Sequence, residues 1–235
     1  MAKKKITGDD GKTYTVKVKK PIYKRIWFWL LVIIIAGTAF SSIGGSGDKD
    51  TSKTQTAKSS QSTKASASSQ KDDGKITRAD FDQIKLGDLM NKAANGDTLP
   101  ALTQKFGKPD STTTDTTNNV KTDIVTWTNV QGGFGANVIV SFTGDHAFSK
   151  NITGFKLNRK NKITLADFNA LANGNAYADV IKKFGEPDGL NESLIAGEKT
   201  VIASYLTGVK GQLGANFTLT FTNDALSGKS QTDME

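Results

Sequence analysis

The chain has no cysteine, and it has one histidine, His146. The lack of cysteine excludes disulfide bonds, thiol nucleophiles, cysteine-based metal sites and lipid attachment to a cysteine. A single histidine excludes a zinc site built from several histidines, and it weakens the case for a serine–histidine–aspartate triad. His146 follows Asp145 in a predicted turn, where a solvated loop residue is expected.

Catalytic motifs are incomplete as well. Gly228-Lys-Ser230 resembles the end of a phosphate-binding loop, but Asn223 stands where that loop requires glycine. The glycines within residues 132–135 lack the spacing of a dinucleotide-binding fingerprint and are predicted to form a hairpin turn. Because no set of nucleophile, base and orienting group remains, we predict a protein that is not an enzyme and that uses no cofactor or metal.

Positive charge is plentiful but concentrated at the start of the chain. The net charge is +8, and residues 1–43 hold nine Lys or Arg residues against two Asp residues. The rest of the chain therefore holds 22 basic and 21 acidic residues and is almost neutral. A domain that binds nucleic acid carries its own basic patch, so no nucleic-acid partner is expected.

One long apolar run is present. Residues 26–43 are 18 consecutive uncharged residues, close to the roughly 20 that a membrane-spanning helix needs. Basic residues before this run favour a cytoplasmic N-terminus. The run predicts a single-pass transmembrane helix in the cell membrane, with the C-terminal domains outside the cell. The alternative is a secreted protein that is cleaved near Ala39.

The segments on either side of this run differ in composition. Residues 1–25 are predicted to form a cytoplasmic basic segment, with a brief hairpin around Asp10 and Gly11. Residues 44–74 contain no Val, Ile, Leu or aromatic residue and cannot bury a core. We therefore predict a disordered linker over 44–74.

The remaining sequence contains a repeat. Three stretches occur twice in the same order, and the first copy has nine extra residues near positions 89–96. The matched pairs are 75–81 with 162–168, 105–110 with 183–188, and 135–145 with 214–224. The repeat predicts two domains, at residues 75–157 and 158–235.

Each copy predicts the same local structure. Thr77 with Asp80, and Thr164 with Asp167, fit capping boxes at the start of short helices. A second helix then stops at Lys-Phe-Gly-x-Pro-Asp, where the glycine suits a left-handed C-cap and the proline prevents continuation. Apolar residues next alternate with polar ones, as in an antiparallel strand with one buried face. The predicted class is α+β.

These motifs carry a resemblance to a known fold. The Phe-Gly-x-Pro-Asp stop, a strand containing Trp or Tyr, and the strand pattern Gly-Ala-x-Val-x-Val-x-Phe resemble the β-lactamase-inhibitor-like (BLIP-like) fold. That group includes the tandem β-lactamase inhibitory proteins and Gram-positive surface proteins of unknown function. The resemblance covers residues 75 to about 232. It implies two tandem helix–helix–antiparallel-sheet repeats whose sheets join into one concave surface facing a ligand, and it transfers no inhibitory residue.

Four large side chains near the predicted turns are candidates for partner binding: Trp127, Phe134, Tyr205 and Leu213. Core packing is the alternative interpretation of each. Phe134 is the strongest candidate because glycines surround it. The predicted function is a membrane-anchored, non-catalytic module that binds an extracellular protein or a cell-wall component. The alternatives are an inhibitor of an extracytoplasmic enzyme and an envelope assembly or stress factor.

Overall fold

The computed structural model describes residues 2–7, 13–18, 74–117, 120–155 and 157–235. It divides into two units, Met1–Ser69 and Gln70–Glu235. In the first unit, strands β1 (Ala2–Thr7) and β2 (Thr13–Val18) pair antiparallel, with Thr7 opposite Thr13. This pairing confirms the predicted N-terminal hairpin.

In the second unit, the described residues form four α-helices and eight strands. The first half of this unit (residues 75–157) contains α1 (Arg78–Asp82), a 3₁₀ turn (Leu89–Asn91), α2 (Leu99–Phe106), β3 (Ser111–Thr117), β4 (Val120–Trp127), β5 (Asn137–Thr143) and β6 (His146–Thr153). The second half (residues 158–235) contains α3 (Leu165–Asn169), α4 (Tyr177–Phe184), β7 (Gly189–Ile195), β8 (Glu198–Tyr205), β9 (Gly211–Thr222) and β10 (Ala225–Met234).

All eight strands form one antiparallel sheet, in the order β10-β9-β8-β7-β6-β5-β4-β3. The predicted fold of two tandem helix–helix–antiparallel-sheet repeats is therefore wrong, because one sheet runs through both halves. The halves are joined because β6 and β7 pair directly, from Ser149 opposite Ser193 to Ile152 opposite Leu190. This pairing satisfies backbone groups that each half would otherwise leave exposed at a sheet edge.

The predicted transmembrane helix at 26–43, the cleavage site near Ala39 and the linker before Gly74 lie outside the described residues. In the part of the chain that the structure describes, no helix is long and apolar enough to cross a membrane. The longest, α2 and α4, have eight residues each, against roughly 20 for a spanning helix. This finding contradicts both the predicted fold with an N-terminal transmembrane helix and the predicted single-pass location in the cell membrane.

The local signals at helix ends are largely confirmed. The Thr77 hydroxyl accepts from the Asp80 N–H at 3.1 Å, and the Asp80 carboxylate accepts from the Thr77 N–H at 3.0 Å. Thr164 and Asp167 form the same capping box. Gly107 and Gly185 end α2 and α4 at φ 83° and 76°, but with ψ at −178°. Both glycines therefore adopt an extended conformation with positive φ, which essentially only glycine can adopt. The predicted left-handed helical C-cap is not formed.

The hydrophobic core lies between the helices and one face of the sheet. The predicted alternation is confirmed in β5 and β9, whose inward side chains are buried: Val138, Val140, Phe142, Phe217, Leu219 and Phe221. Helix residues Phe81, Leu102, Phe168 and Val180 pack into the same cluster. The helices thus occupy one face of the sheet, and the alternate residues of the strands lie on the other.

Candidate functional site

The β4–β5 turn displays a large hydrophobic side chain in full contact with solvent. Phe134 has a relative exposure of 103%. Gly135 follows at φ 80°, a conformation that favours glycine, and Ala136 is buried beneath the turn. The Asn137 side-chain amide donates to the Gly135 carbonyl at 3.0 Å. The backbone around Phe134 is therefore defined even though its ring contacts only solvent.

The β8–β9 region contains the same arrangement. Leu213 has a relative exposure of 104%, Gly214 follows at φ 93°, and Ala215 is buried. The Asn216 side-chain amide donates to the Gly214 carbonyl at 2.8 Å. Residues 134–137 lie in the turn before β5, and residues 213–216 lie in the first part of β9, where pairing with β10 is irregular. We call these two segments the two hydrophobic turns. Exposure of a large apolar side chain twice, on similarly braced backbones, is typical of a surface that meets a partner.

Both hydrophobic turns lie at the same end of the sheet. The first connects β4 to β5 and the second lies at the start of β9, just after the connection from β8; β4 and β8 run in the same direction. Four strand spacings separate β5 from β9, which corresponds to about 19 Å along the sheet. Strands β6, β7 and β8 fill the space between them.

The sheet face opposite the helices, which we call the open face, is polar and uncharged at its centre, where the small side chains of Ser149, Asn151 and Ser193 are themselves buried. Its residues are identified by strand register, because neighbours in a strand alternate between faces. One row across all eight strands is Ser111, Thr126, Ile139, Asn151, Asn191, Ile202, Thr220 and Gly228. The adjacent row is Thr113, Ile124, Ser141, Ser149, Ser193, Thr200, Thr222 and Ala225. Neither row contains a charged or an aromatic residue.

The other two predicted partner-binding residues lie in the core. Trp127 and Tyr205 have relative exposures of 1% and 0%. The Trp127 indole N–H donates to the Gly107 carbonyl at 2.9 Å, and the Tyr205 hydroxyl donates to the Gly185 carbonyl at 3.0 Å. Burial raises the pKa of Tyr205 above its ordinary value. These two side chains tie strands to helix ends and present no surface to a partner.

A buried ion pair supports the connection between β8 and β9. Asp188 is 1% exposed, and its carboxylate accepts from the Leu206 N–H at 2.7 Å and the Thr207 N–H at 3.0 Å. The Arg159 guanidinium lies 3.2 Å from this carboxylate and donates to the Thr207 carbonyl at 3.0 Å. Asp110, at the matching position of the first half, is exposed and accepts from the Thr128 N–H at 2.7 Å.

The family model of a domain of unknown function with a solved structure, DUF3862, matches residues 73–234. The chain belongs to this family. A crystal structure from Streptococcus mutans, described as a candidate β-lactamase inhibitor protein, is similar with a TM-score of 0.57 and 28% sequence identity. The match covers 67% of this chain and 96% of that one. It supports the predicted β-lactamase-inhibitor-like fold. No curated protein matches this chain.

Two lysines of the DUF3862 domain have a structural role that we did not predict. The Lys150 ammonium donates to the carbonyls of Phe81, Asp82 and Ile84 at the end of α1. Burial lowers the pKa of Lys150, and Glu192 on β7 lies 3.8 Å away. Lys229 donates in the same way to three carbonyls at the end of α3. Lys150 and Lys229 are 79 positions apart, the offset of the matched strands, and that offset was the signal available in the sequence.

Within the described residues of the DUF3862 domain, no group of three or more His, Cys, Asp or Glu side chains could hold a metal ion. His146 lies with Nδ1 3.0 Å from the Gly96 carbonyl, so it contributes to turn packing. The most exposed large apolar side chains of the described residues lie on the two hydrophobic turns, beside the open face.

Proposed function

We propose that this DUF3862 domain is a non-catalytic module that binds another protein through the two hydrophobic turns and the open face. The observation that carries the proposal is the full exposure of Phe134 and Leu213 at one end of the sheet. In protein complexes a few anchor side chains, aromatic or aliphatic, enter pockets of the partner and contribute much of the binding free energy.

The chemistry of the open face favours a protein over the other partner that we considered, a cell-wall polymer. Its two central rows contain hydroxyl, amide and isoleucine side chains without charge. An anionic polymer would require basic residues in those rows. A protein segment with uncharged polar groups and small apolar side chains matches such a surface.

The decisive experiment is site-specific photocrosslinking in the full chain. A photoreactive amino acid in place of Phe134 should form a covalent adduct with one protein, identified by mass spectrometry. The same probe at Lys182, exposed on α4 on the helix side, is the matched control and should give no such adduct. Adducts of equal yield at both positions, or adducts with glycan only, would contradict the proposal.

Once the partner is known, its affinity can be measured with Phe134→Ala and Leu213→Ala. Each substitution should weaken binding by about 1–3 kcal/mol, or roughly 5- to 150-fold in Kd. Because both side chains contact only solvent, the free energy of unfolding should change by less than about 0.5 kcal/mol. Unchanged affinity in the double variant would refute a role for the turns.

A second candidate function is inhibition of an enzyme, which the description of the Streptococcus mutans structure favours. It is tested by adding the full chain to a panel of β-lactamases and following hydrolysis of a chromogenic β-lactam. Inhibition that Phe134→Ala abolishes would assign the partner class. Absence of inhibition across the panel, with the crosslinked adduct still formed, would leave protein binding in place and remove this class of enzyme.

A further inference from the structure

The pairing between the two halves is short and does not extend over the whole length of the strands. Strands β6 and β7 share four residue pairs, fewer than any other ladder in the eight-stranded sheet. The pairing stops at Ser149 and Ser193. Beyond this point β6 and β7 do not pair with each other, at the end of the sheet opposite the hydrophobic turns. A short central ladder is the place where two halves of a sheet bend most easily.

Beyond the end of the β6–β7 ladder, the Asp88 carboxylate of the first half accepts hydrogen bonds from the second half. The Asp88 Oδ1 accepts from the Ala196 N–H at 2.8 Å, and Oδ2 accepts from the Gly197 N–H at 2.7 Å. Ala196 and Gly197 form the turn between β7 and β8, in the second half. Hydrogen bonds to an ionised carboxylate are stronger than those between neutral groups. We call these two bonds the latch.

The segment that carries Asp88 has a tightly constrained backbone. Lys92, Ala93 and Asn95 have positive φ angles of 55°, 53° and 76°. A Cβ on Gly87 would lie 2.0 Å from the Ala93 carbonyl oxygen, so the loop closes directly on itself. Such conformations persist only where the surrounding structure enforces them. This segment coincides with the extra residues of the first half, near positions 89–96, and the second half has no equivalent.

We propose that Asp88 is a positioning residue that locks a hinge at the β6–β7 ladder and thereby sets the separation of Phe134 and Leu213. The two exposed side chains belong to different halves, so any bending at the ladder changes the distance between them. The latch lies at the other end of the sheet, where it opposes this bending. The inference rests on the proposed function in one respect: the separation matters because one partner contacts both turns.

The separation can be measured without any partner. The chain has no cysteine, so Phe134→Cys and Leu213→Cys provide the two sites for nitroxide labels in the full chain. Double electron–electron resonance should give one narrow distance distribution with Asp88 present. Asp88→Ala should shift or widen that distribution, and amide exchange at Ala196 and Gly197 should become about tenfold faster. Asp88→Asn keeps one acceptor oxygen and should give a smaller effect, and it serves if Asp88→Ala does not fold.

Asp97→Ala is the matched control. The Asp97 carboxylate also accepts a backbone N–H, that of Lys85 at 2.9 Å, but both residues belong to the first half. This variant should leave the distance distribution unchanged. The proposal is overturned if Asp88→Ala leaves the distribution unchanged, whether or not amide exchange accelerates, or if Asp97→Ala alters it equally. Because no partner is present, failure here is distinct from failure of the crosslinking experiment.

Discussion

The buried Arg159–Asp188 pair allows a quantitative test, because the same sequence motif provides its own control. Lys-Phe-Gly-x-Pro-Asp ends at Asp110 in the first half and at Asp188 in the second. Asp188→Ala would leave the Arg159 guanidinium buried without its carboxylate, since the Arg159 side chain is 7% exposed. It would also remove the acceptor of the Leu206 and Thr207 amides.

The expected magnitudes differ clearly. Removing one member of a buried ion pair costs about 3–5 kcal/mol. Asp110→Ala removes an acceptor for the Thr128 N–H at the surface and should cost about 0.5–1.5 kcal/mol. For a domain of this size, each kcal/mol lowers Tm by about 2–4 °C. Asp188→Ala should therefore lower Tm by roughly 6–20 °C, and Asp110→Ala by roughly 1–6 °C.

Urea unfolding followed by circular dichroism measures both free energies on the full chain. Total stabilities are usually about 5–15 kcal/mol, so Asp188→Ala should still have a folded baseline. Replacing the guanidinium as well, with Arg159→Met, should recover at least about 1 kcal/mol of the loss because no unpaired charge remains. The reasoning is refuted if Asp188→Ala and Asp110→Ala differ by less than about 1 kcal/mol, or if Arg159→Met makes the loss larger.

Two further substitutions test other parts of the fold by the same unfolding measurements. Lys150→Met removes the donor to three carbonyls in a buried site and should lower the free energy of unfolding by about 1–3 kcal/mol. Lys229→Met, at the exposed edge, should lower it by less, and the reverse order would contradict the structural role of Lys150. The hydrogen bond from the Thr164 hydroxyl lowers the pKa of Asp167, so its stabilising contribution is present above the unfolded pKa of about 3.9 and is lost as pH falls through the lower folded value. Asp167→Asn should therefore reduce the fall of Tm as pH decreases below about 4, and an identical pH profile would argue against the capping contribution.

Among the candidate site residues, the two in the glycine-containing turns were accessible to sequence reasoning. Gly135 and Gly214 adopt positive φ, which marks an irregular backbone beside Phe134 in the β4–β5 turn and beside Leu213 at the start of β9. Trp127 and Tyr205 could not be placed in the same way. Their large rings suit either a surface or a core, and only the packing of α2 and α4 on the sheet determines that they are buried.

The sequence by itself determined the features that depend on neighbours within a few residues. The capping boxes at Thr77 and Thr164, the helix ends at Gly107 and Gly185, and the alternating burial of β5 and β9 all follow from local hydrogen bonding and side-chain period. Strand β7, like its counterpart β3 in the first half, was not predicted. Its centre, Asn191 to Ser193, is polar, and Glu192 is tolerated there because Lys150 lies beside it on β6.

Tertiary structure decided whether the two halves remain separate or share a sheet. That outcome depends on pairing between residues about 40 positions apart. Closing a loop of this length costs chain entropy, and the strand pairing offsets that cost only when both strands are already formed. It also decided that the two copies of one motif, ending at Asp110 and Asp188, have different environments. Arg159 reaches one carboxylate and not the other, because the chain between the halves passes beside the second motif only. The residues of a motif do not by themselves indicate which distant segment of the chain packs against it.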